Sequence, residues 1–506
     1  MRIALINPPP RGELEKHWAT SPLLGIAYIA ASLRANGHDV FVLDGKLNGL
    51  KVEALIAQVV SMKPDLVGIT CMTVEYPLAV QIALGIRSAC TVPMVIGGAH
   101  VNAVRGAALE ECAAIDFACI GEGEHLVVEL AAALQIGGDM SVIRGLARRV
   151  GGVVVYNAAR DYHNNYDSLT FPAWDLFTVA DDIPLLTHRG CPFECNFCGH
   201  NSGFKPRYRS PENVLDEIEY VVKRFRPKNI RFEDETFGLN LARTRRILDG
   251  IVERGLQSKV SFSAQTRVDR TDRDFIRRLK RCNFKWLEIG VESGSPEILR
   301  RMGKGITLEQ VERAVEHAKA EGLRIWCKFI LGHPHETRRD MMSTAAFIAR
   351  INPDRLSVSL MTPYPGTPIF DMAVRGEGGY RLLSDDWETF DKYASGALEL
   401  RDVSLTQLKA LQLYCYLNMY LRNLRVYDLM SLASQNLSLV LEMIGGVFSS
   451  ASTRRPPVAA RKRAAHIPVA TVASPDSTLE RLRHRRAAQR TNSETHAVRT
   501  WADPGQ

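Results

Sequence analysis

Gly190-Cys191-Pro192-Phe193-Glu194-Cys195-Asn196-Phe197-Cys198-Gly199-His200 sets three cysteines at a Cys-x3-Cys-x2-Cys spacing. The run supplies three soft thiolates and no obvious fourth. Structural zinc closes a tetrahedron with four protein ligands, commonly as two short clusters separated by a loop; a cubane held by three thiolates keeps one iron free for a reacting ligand. His200 is the nearby group able to complete a zinc site, and no second Cys/His pair lies within knuckle distance. The other seven cysteines (Cys71, Cys90, Cys112, Cys119, Cys282, Cys327 and Cys415) stand singly in apolar surroundings, where a thiol is ordinarily a small core side chain. They read as reduced cysteines of a cytoplasmic protein.

The run follows Leu185-Leu186-Thr187-His188-Arg189, the first of six strand-like segments that each end in polar residues. Asn229 to Phe237 carries Glu233-Asp234-Glu235, Ser261 to Asp269 carries Gln265 and Arg267, and Trp286 to Gly294 carries Glu292 and Ser293. Trp326 to Thr337 and Leu356 to Pro368 complete the set. Residues at the carboxyl ends of barrel strands read as functional. Six strands over 181–395 predict a partial (β/α)6 barrel, open on one side.

Upstream, residues 1–145 alternate short apolar strands with amphipathic helices, the rhythm of a Rossmann-like parallel α/β sheet. Its turns, Asn7-Pro8-Pro9, Thr70-Cys71-Met72-Thr73, Gly97-Gly98 and Gly121-Glu122-Gly123-Glu124, fall where ligands of open sheets sit. Paired glycines let backbone pass close to a bulky flat ligand. Residues 146–180 read as a linker. Past the barrel, 396–450 predicts a C-terminal helical cap over the barrel mouth, built from Leu405 to Leu424 and the apolar stretch Tyr427 to Phe448.

The cysteine run resembles the signature of radical S-adenosylmethionine (SAM) enzymes, and the first 145 residues resemble the B12-binding domain that precedes the barrel in their cobalamin-dependent subgroup. The resemblance spans roughly residues 1–400. It implies a [4Fe-4S] cluster on Cys191, Cys195 and Cys198, with SAM on the free iron and Phe197 near the adenine. It further implies that Glu233 and Asp234 face the SAM ammonium, Gln265 and Arg267 its carboxylate side, and Glu292 and Ser293 its ribose or methionine part. Lys304 is a weaker candidate that also reads as a surface lysine. For cobalamin it implies contacts from Pro8, Pro9, Leu23, Gly25, Thr70, Thr73, Gly97, Gly98, Glu122 and Gly123. The Asp-x-His-x-x-Gly motif that places a histidine below cobalt is absent after the first strand, where Asn-Pro-Pro-Pro-Arg-Gly stands instead. Cobalamin is therefore expected without a histidine ligand, and His100 is not assigned to cobalt.

The implied activity is C-methylation of an unactivated carbon of a biosynthetic intermediate, through a 5′-deoxyadenosyl radical and methylcobalamin. The alternatives are cyclisation or rearrangement without methyl transfer on a tetrapyrrole, lipid or antibiotic precursor, and a non-catalytic corrinoid or metal sensor. A small-molecule substrate and an external electron donor of flavodoxin or ferredoxin type are the implied partners. At 506 residues the chain exceeds one core, and no apolar run reaches the ~18 residues that span a bilayer. Its formal charge of +8 lies almost wholly in residues 451–506, which hold eleven Arg and Lys against four Asp and Glu. That tail reads as solvated disorder rather than a nucleic-acid surface.

Overall fold

The computed structural model describes residues 1–11, 21–178, 180–393 and 396–435. The basic tail and the apolar stretch beyond residue 435 lie outside them. β1 (Arg2–Asn7) is buried from Ile3 onward, as a strand sandwiched between helices must be. β2 (Asp39–Asp44), β3 (Leu66–Thr70), β4 (Met94–Gly97) and β5 (Phe117–Cys119) join it in the parallel order β2-β1-β3-β4-β5. Connections from β1 run to one side and those from β3 to the other. The crevice beyond β1 and β3 is thus the switch point of the sheet.

The segment read as a linker begins with more sheet. β6 (Leu146–Val150) and β7 (Val153–Tyr156) extend it antiparallel. Gly151 and Gly152 join them at φ 55° and 85°, the left-handed pair that a tight hairpin turn demands. The first domain therefore runs past residue 145, to at least Tyr156.

β8 (Asp182–Leu185) opens the second sheet. After a two-residue hairpin, β9 (His188–Arg189) with β10 (Arg207–Tyr208), the chain returns through β11 (Asn229–Phe232), β12 (Ser261–Thr266), β13 (Phe284–Glu292), β14 (Arg324–Leu331) and β15 (Arg355–Leu360). All six long strands are parallel in sequence order, with β8 and β15 as free edges. Phe232, Phe262 and Phe284 on three neighbouring strands stack together, and Phe237 joins them with Phe275 of the helix Arg273–Arg281. This aromatic block holds the sheet to its helices.

The helix Leu405–Arg422 lies along the edge strand β15, and its Leu408 reaches Gly332 just past the end of β14. Gln412 donates to the Val358 carbonyl (2.8 Å), Val358 N–H donates to the Tyr416 hydroxyl (3.0 Å), and Asn418 and Asn423 bond carbonyls of the helix Arg338–Ile351. An exposed edge strand leaves backbone groups unpaired, and polar side chains of this helix satisfy those of β15. The short pair β16 (Tyr380–Leu382) and β17 (Leu398–Leu400) leads into it. Among the described residues no helix is long and apolar enough to cross a membrane.

Candidate functional site

The cysteine loop leaves β9 through Gly190, at φ 94°, where a Cβ would come within 2.4 Å of the Lys205 carbonyl. Only glycine turns the chain there. Cys191 N–H then donates to Gly203 O (3.1 Å) and Cys198 N–H to Cys195 O (3.1 Å). Asn196 pins the middle of the loop: its N–H bonds Met302 O, its amide Nδ2 bonds Arg301 O, and its Oδ1 lies 3.2 Å from His333 Nε2. The Arg267 guanidinium lies 3.6 Å over the Phe193 ring.

All three loop cysteines are free thiols, Cys195 buried and the others half-buried. Burial pushes Cys195 and Cys198 up, and Lys304 works against it at both. Among the described residues no three His, Cys, Asp or Glu side chains converge tightly enough for a single metal ion. A zinc site needs every donor ~2–2.3 Å from one centre. Three separate thiols instead suit a cluster that takes one thiolate per iron. The His200 ring stacks on Phe204 at 4.2 Å.

Around the loop, the expected SAM residues separate. Asp234 is fully buried and caps the turn after β8, accepting from Thr187 N–H and Oγ1 (both 2.6 Å) and His188 N–H (3.2 Å), with His188 Nδ1 at 3.1 Å. All its acceptor capacity is used, so it does not face an incoming ammonium. Glu233 pairs with Arg231 at 2.6 Å. Ser293 is buried against Thr344 and accepts from Ser295 N–H (3.1 Å), turned away from the loop. Gln265 accepts from Lys328 (2.9 Å), which also pairs with Glu288 at 2.5 Å. Phe197 is partly buried against the core.

Two acids make their charge felt at the loop thiols, Glu292 at Cys195 and Glu235, which the sequence reading does not single out, at Cys198. The Glu235 charge also bears on His200, and its Oε2 is buried with no hydrogen-bond partner. β11 ends at Phe232 and Glu235 lies in the turn beyond it, where strand alternation no longer sorts the three acids. Arg267 keeps a buried, unpartnered Nη1 while its Nη2 donates to Lys304 O (2.6 Å). Lys304 is no surface lysine: it is buried and pairs with Glu292 at 2.7 Å. An orphaned carboxylate oxygen and an orphaned guanidinium nitrogen beside the cysteines fit the ammonium and carboxylate of SAM.

At the first sheet's switch point lies a cavity of about 300 Å³. Leu5, Ile69 and Val95 form an apolar wall; Gly25, Thr70, Gly97, Gly98, Glu122 and Gly123 also line it. A Cβ on Gly25 or Gly121 would meet nothing within 4 Å, so side chains there would fill ligand space. The volume suits a flat aromatic base more than an entire corrin. Pro8, Pro9, Leu23 and Thr73 do not line it. Pro8 and Pro9 are buried, with Pro9 close to Gly45, Leu23 is exposed, and Thr73 Oγ1 lies 3.3 Å from His100 Nδ1. His100 stays outside the cavity too, its ring on Tyr76 and Trp387, and burial pushes its imidazole down to about 3. Arg189, Asn201 and Ser202, from either side of the cysteine loop, complete the wall. The cavity thus borders the loop.

Residues 185–348 match the model of the radical SAM superfamily and residues 19–131 that of the B12 binding domain. An uncharacterized methyltransferase of Pyrococcus horikoshii is 33% identical over 436 residues, 83% of this chain and 93% of the relative. The anaerobic magnesium-protoporphyrin IX monomethyl ester cyclase of Rubrivivax gelatinosus is 28% identical, over 77% of this chain and 71% of that one. The solved radical SAM methyltransferase TsrM of Kitasatospora setae shares the fold, with a TM-score of 0.65 at 20% identity over 76% of this chain and 77% of its own. With the two domains in this order, the three-thiol loop and a relative matched over nearly its full length, the chain belongs to the B12-binding family of radical SAM enzymes.

Proposed function

We propose that the protein transfers a methyl group from SAM to an unactivated carbon of a small-molecule biosynthetic intermediate. The carrying observation is the shared wall: the glycine-lined cavity of the first domain is closed by Arg189, Asn201 and Ser202, which flank the three cysteines. When bound, the cofactors supply radical formation and methyl carriage, so that two SAM molecules and two electrons convert R–H to R–CH3, S-adenosylhomocysteine, methionine and 5′-deoxyadenosine. The electrons come from an external flavodoxin or ferredoxin type donor, in keeping with a cytoplasmic setting.

The chain's own side chains bind and orient. Cys191, Cys195 and Cys198 hold the cluster, with Asn196 and Phe193 anchoring their loop. Glu235 and Arg267 offer opposite charges to the amino acid end of SAM. Gly25 and Gly121 leave room for cobalamin. Where burial excludes water, a radical is shielded from quenching.

Anaerobic turnover with SAM deuterated in its methyl group, against an extract of host intermediates, tests the proposal. A product heavier by the labelled methyl, with S-adenosylhomocysteine and 5′-deoxyadenosine, supports it. The cyclase relative favours a second reading, in which 5′-deoxyadenosine appears with an unlabelled product and no S-adenosylhomocysteine.

A further inference from the structure

The first domain and the cysteine loop are joined by a buried charge network in which Glu122, Glu124 and Arg189 line the cavity and Arg207 and Tyr166 stand behind them, outside its lining. Glu122 stands at the N-cap of the helix Gly123–Ile136, yet its side chain makes no cap hydrogen bond. Its carboxylate turns outward instead. It accepts from Arg207 Nη1 (2.9 Å), from His163 N–H (2.9 Å) and, in a short bond, from the Tyr166 hydroxyl, and Arg189 Nη1 lies 3.4 Å away. Arg189 Nη2 reaches Glu124 at 2.5 Å.

Arg189 and Arg207 are cross-strand partners in the hairpin β9–β10, and Arg189 is followed by Gly190 and Cys191. Arg207 Nη2 also donates to Ser202 O (2.6 Å) just after the cysteines. Both guanidinium groups lie over the Tyr166 ring, at 4.9 and 5.2 Å. The four charged side chains are 3–13% exposed. Buried ion pairs are weak contributors to stability, since desolvation offsets their attraction, and their best-attested use is to fix one geometry. Here the geometry fixed is that of the cysteine hairpin against the helix that walls the cobalamin cavity.

We propose that Arg207 and Tyr166 are positioning residues that, through Glu122, set the distance and alignment between the cluster and cobalamin. The network touches neither the orphaned SAM groups nor the cysteines themselves. Its loss therefore loosens the spacing of two cofactors that remain bound. The proposal rests on the methyl-transfer reading for its kinetic consequence, but its geometric consequence stands without it.

The test uses the full chain loaded anaerobically with cluster and cobalamin, as wild type, Arg207→Met, Arg207→Lys and Tyr166→Phe. Pulsed electron paramagnetic resonance reads the dipolar distance between Co(II) and the reduced cluster. Wild type should give one narrow distribution, Arg207→Met a broadened or displaced one, and Arg207→Lys a partial return. Methyl movement from SAM to Co(I), followed as S-adenosylhomocysteine without acceptor, should fall up to about a hundredfold relative to 5′-deoxyadenosine release, the scale of an ångström's misplacement. Tyr166→Phe, which removes one hydroxyl and keeps the ring, should shift both readouts the same way by less and serves if Arg207→Met does not fold. A wild-type distance distribution with an unchanged product ratio overturns the proposal. So does loss of cobalamin with the cluster intact, which would make the network a binding element. If wild type moves no methyl group, the proposed function fails while the distance measurement still decides the network.

Discussion

At the carboxyl end of the first sheet the ligand space is defined by side chains that are missing: Gly25 and Gly121 face open volume, and Gly98 has no room for a Cβ. At the carboxyl end of the second sheet it is defined by single buried atoms that lack partners, Glu235 Oε2 and Arg267 Nη1, the rest of the Arg267 guanidinium being paired with Asp269 at 3.0 Å. The difference follows from what each end holds. A flat aromatic base of the kind this volume suits is bound by shape, and any added methyl competes with it. A small zwitterion is bound by charge, and each buried group left unpaired in the empty protein carries a cost that the ligand removes. Substitutions should therefore act differently at the two ends: by volume at the first, by charge at the second.

The largest effect should come from the second end. Replacing Cys191, Cys195 and Cys198 together by Ala is expected to abolish the brown absorbance of the reconstituted protein, its cluster iron and its SAM cleavage. Cluster-level iron in the triple variant would break the assignment of the loop. Next come the two side chains that each keep an orphaned atom. Glu235→Gln and Arg267→Met should each weaken SAM binding by about tenfold to a hundredfold, as loss of a charge-assisted hydrogen bond worth ~1.5–3 kcal/mol implies. Iron content should be unchanged. Asp234→Asn is the contrast, because that carboxylate is spent on Thr187 and His188. It should lower the melting temperature and leave SAM affinity near wild type. Should Asp234→Asn weaken SAM binding more than Glu235→Gln, the division between structural and ligand-facing acids would be reversed.

At the first end, Gly25→Leu should reduce cobalamin affinity by about tenfold or more without loss of melting temperature, since a Cβ there already projects into open cavity space and the helix tolerates a side chain better than glycine. Titration of the cofactor-free protein with hydroxocobalamin measures it. Equal affinities would mean that the corrin's tail does not enter this cavity.

The contrast also explains what the sequence discloses. A Cys-x3-Cys-x2-Cys run is local, and three ligands within eight residues are visible without a fold. The strand rhythm is local too, so both sheets and the six parallel strands are foreseen from periodicity. The order β2-β1-β3-β4-β5 depends on which helix crosses which face, and it enters only with tertiary contacts. Gly151-Gly152 directly before the β-branched run Val153-Val154-Val155 is a hairpin signal that the word linker passes over. Lys304 reads as solvated because lysines usually are; its burial against Glu292 comes from a loop that folds back toward Arg267. Glu235 is hidden among three consecutive acids whose roles are sorted by the direction of each side chain, a property of backbone trajectory rather than of residue type.

The smallest effect sharpens the comparison further, because the second sheet has another orphaned carboxylate. Glu336 lies in the turn after β14, accepting from Gly332 N–H (2.6 Å) and His333 N–H (3.0 Å) through one oxygen, with the other buried and unpartnered. Burial pushes its carboxyl up to about 8 from an ordinary 4.5. A raised folded value means that the stability tied to the protonated form is complete below pH 4.5 and is lost as pH rises through 8. The slope across that window is at most about 1.4 kcal/mol per pH unit. Glu336→Gln keeps an acceptor for both N–H groups and has no proton to lose. The melting temperature of the cofactor-free variant should vary less between pH 5 and pH 8 than that of wild type, and its SAM affinity once the cluster is loaded should match wild type. Equal slopes would show that Glu336 does not titrate in this window. A loss of SAM affinity like that of Glu235→Gln would place this turn in the site and extend the charged end of the comparison to strand five.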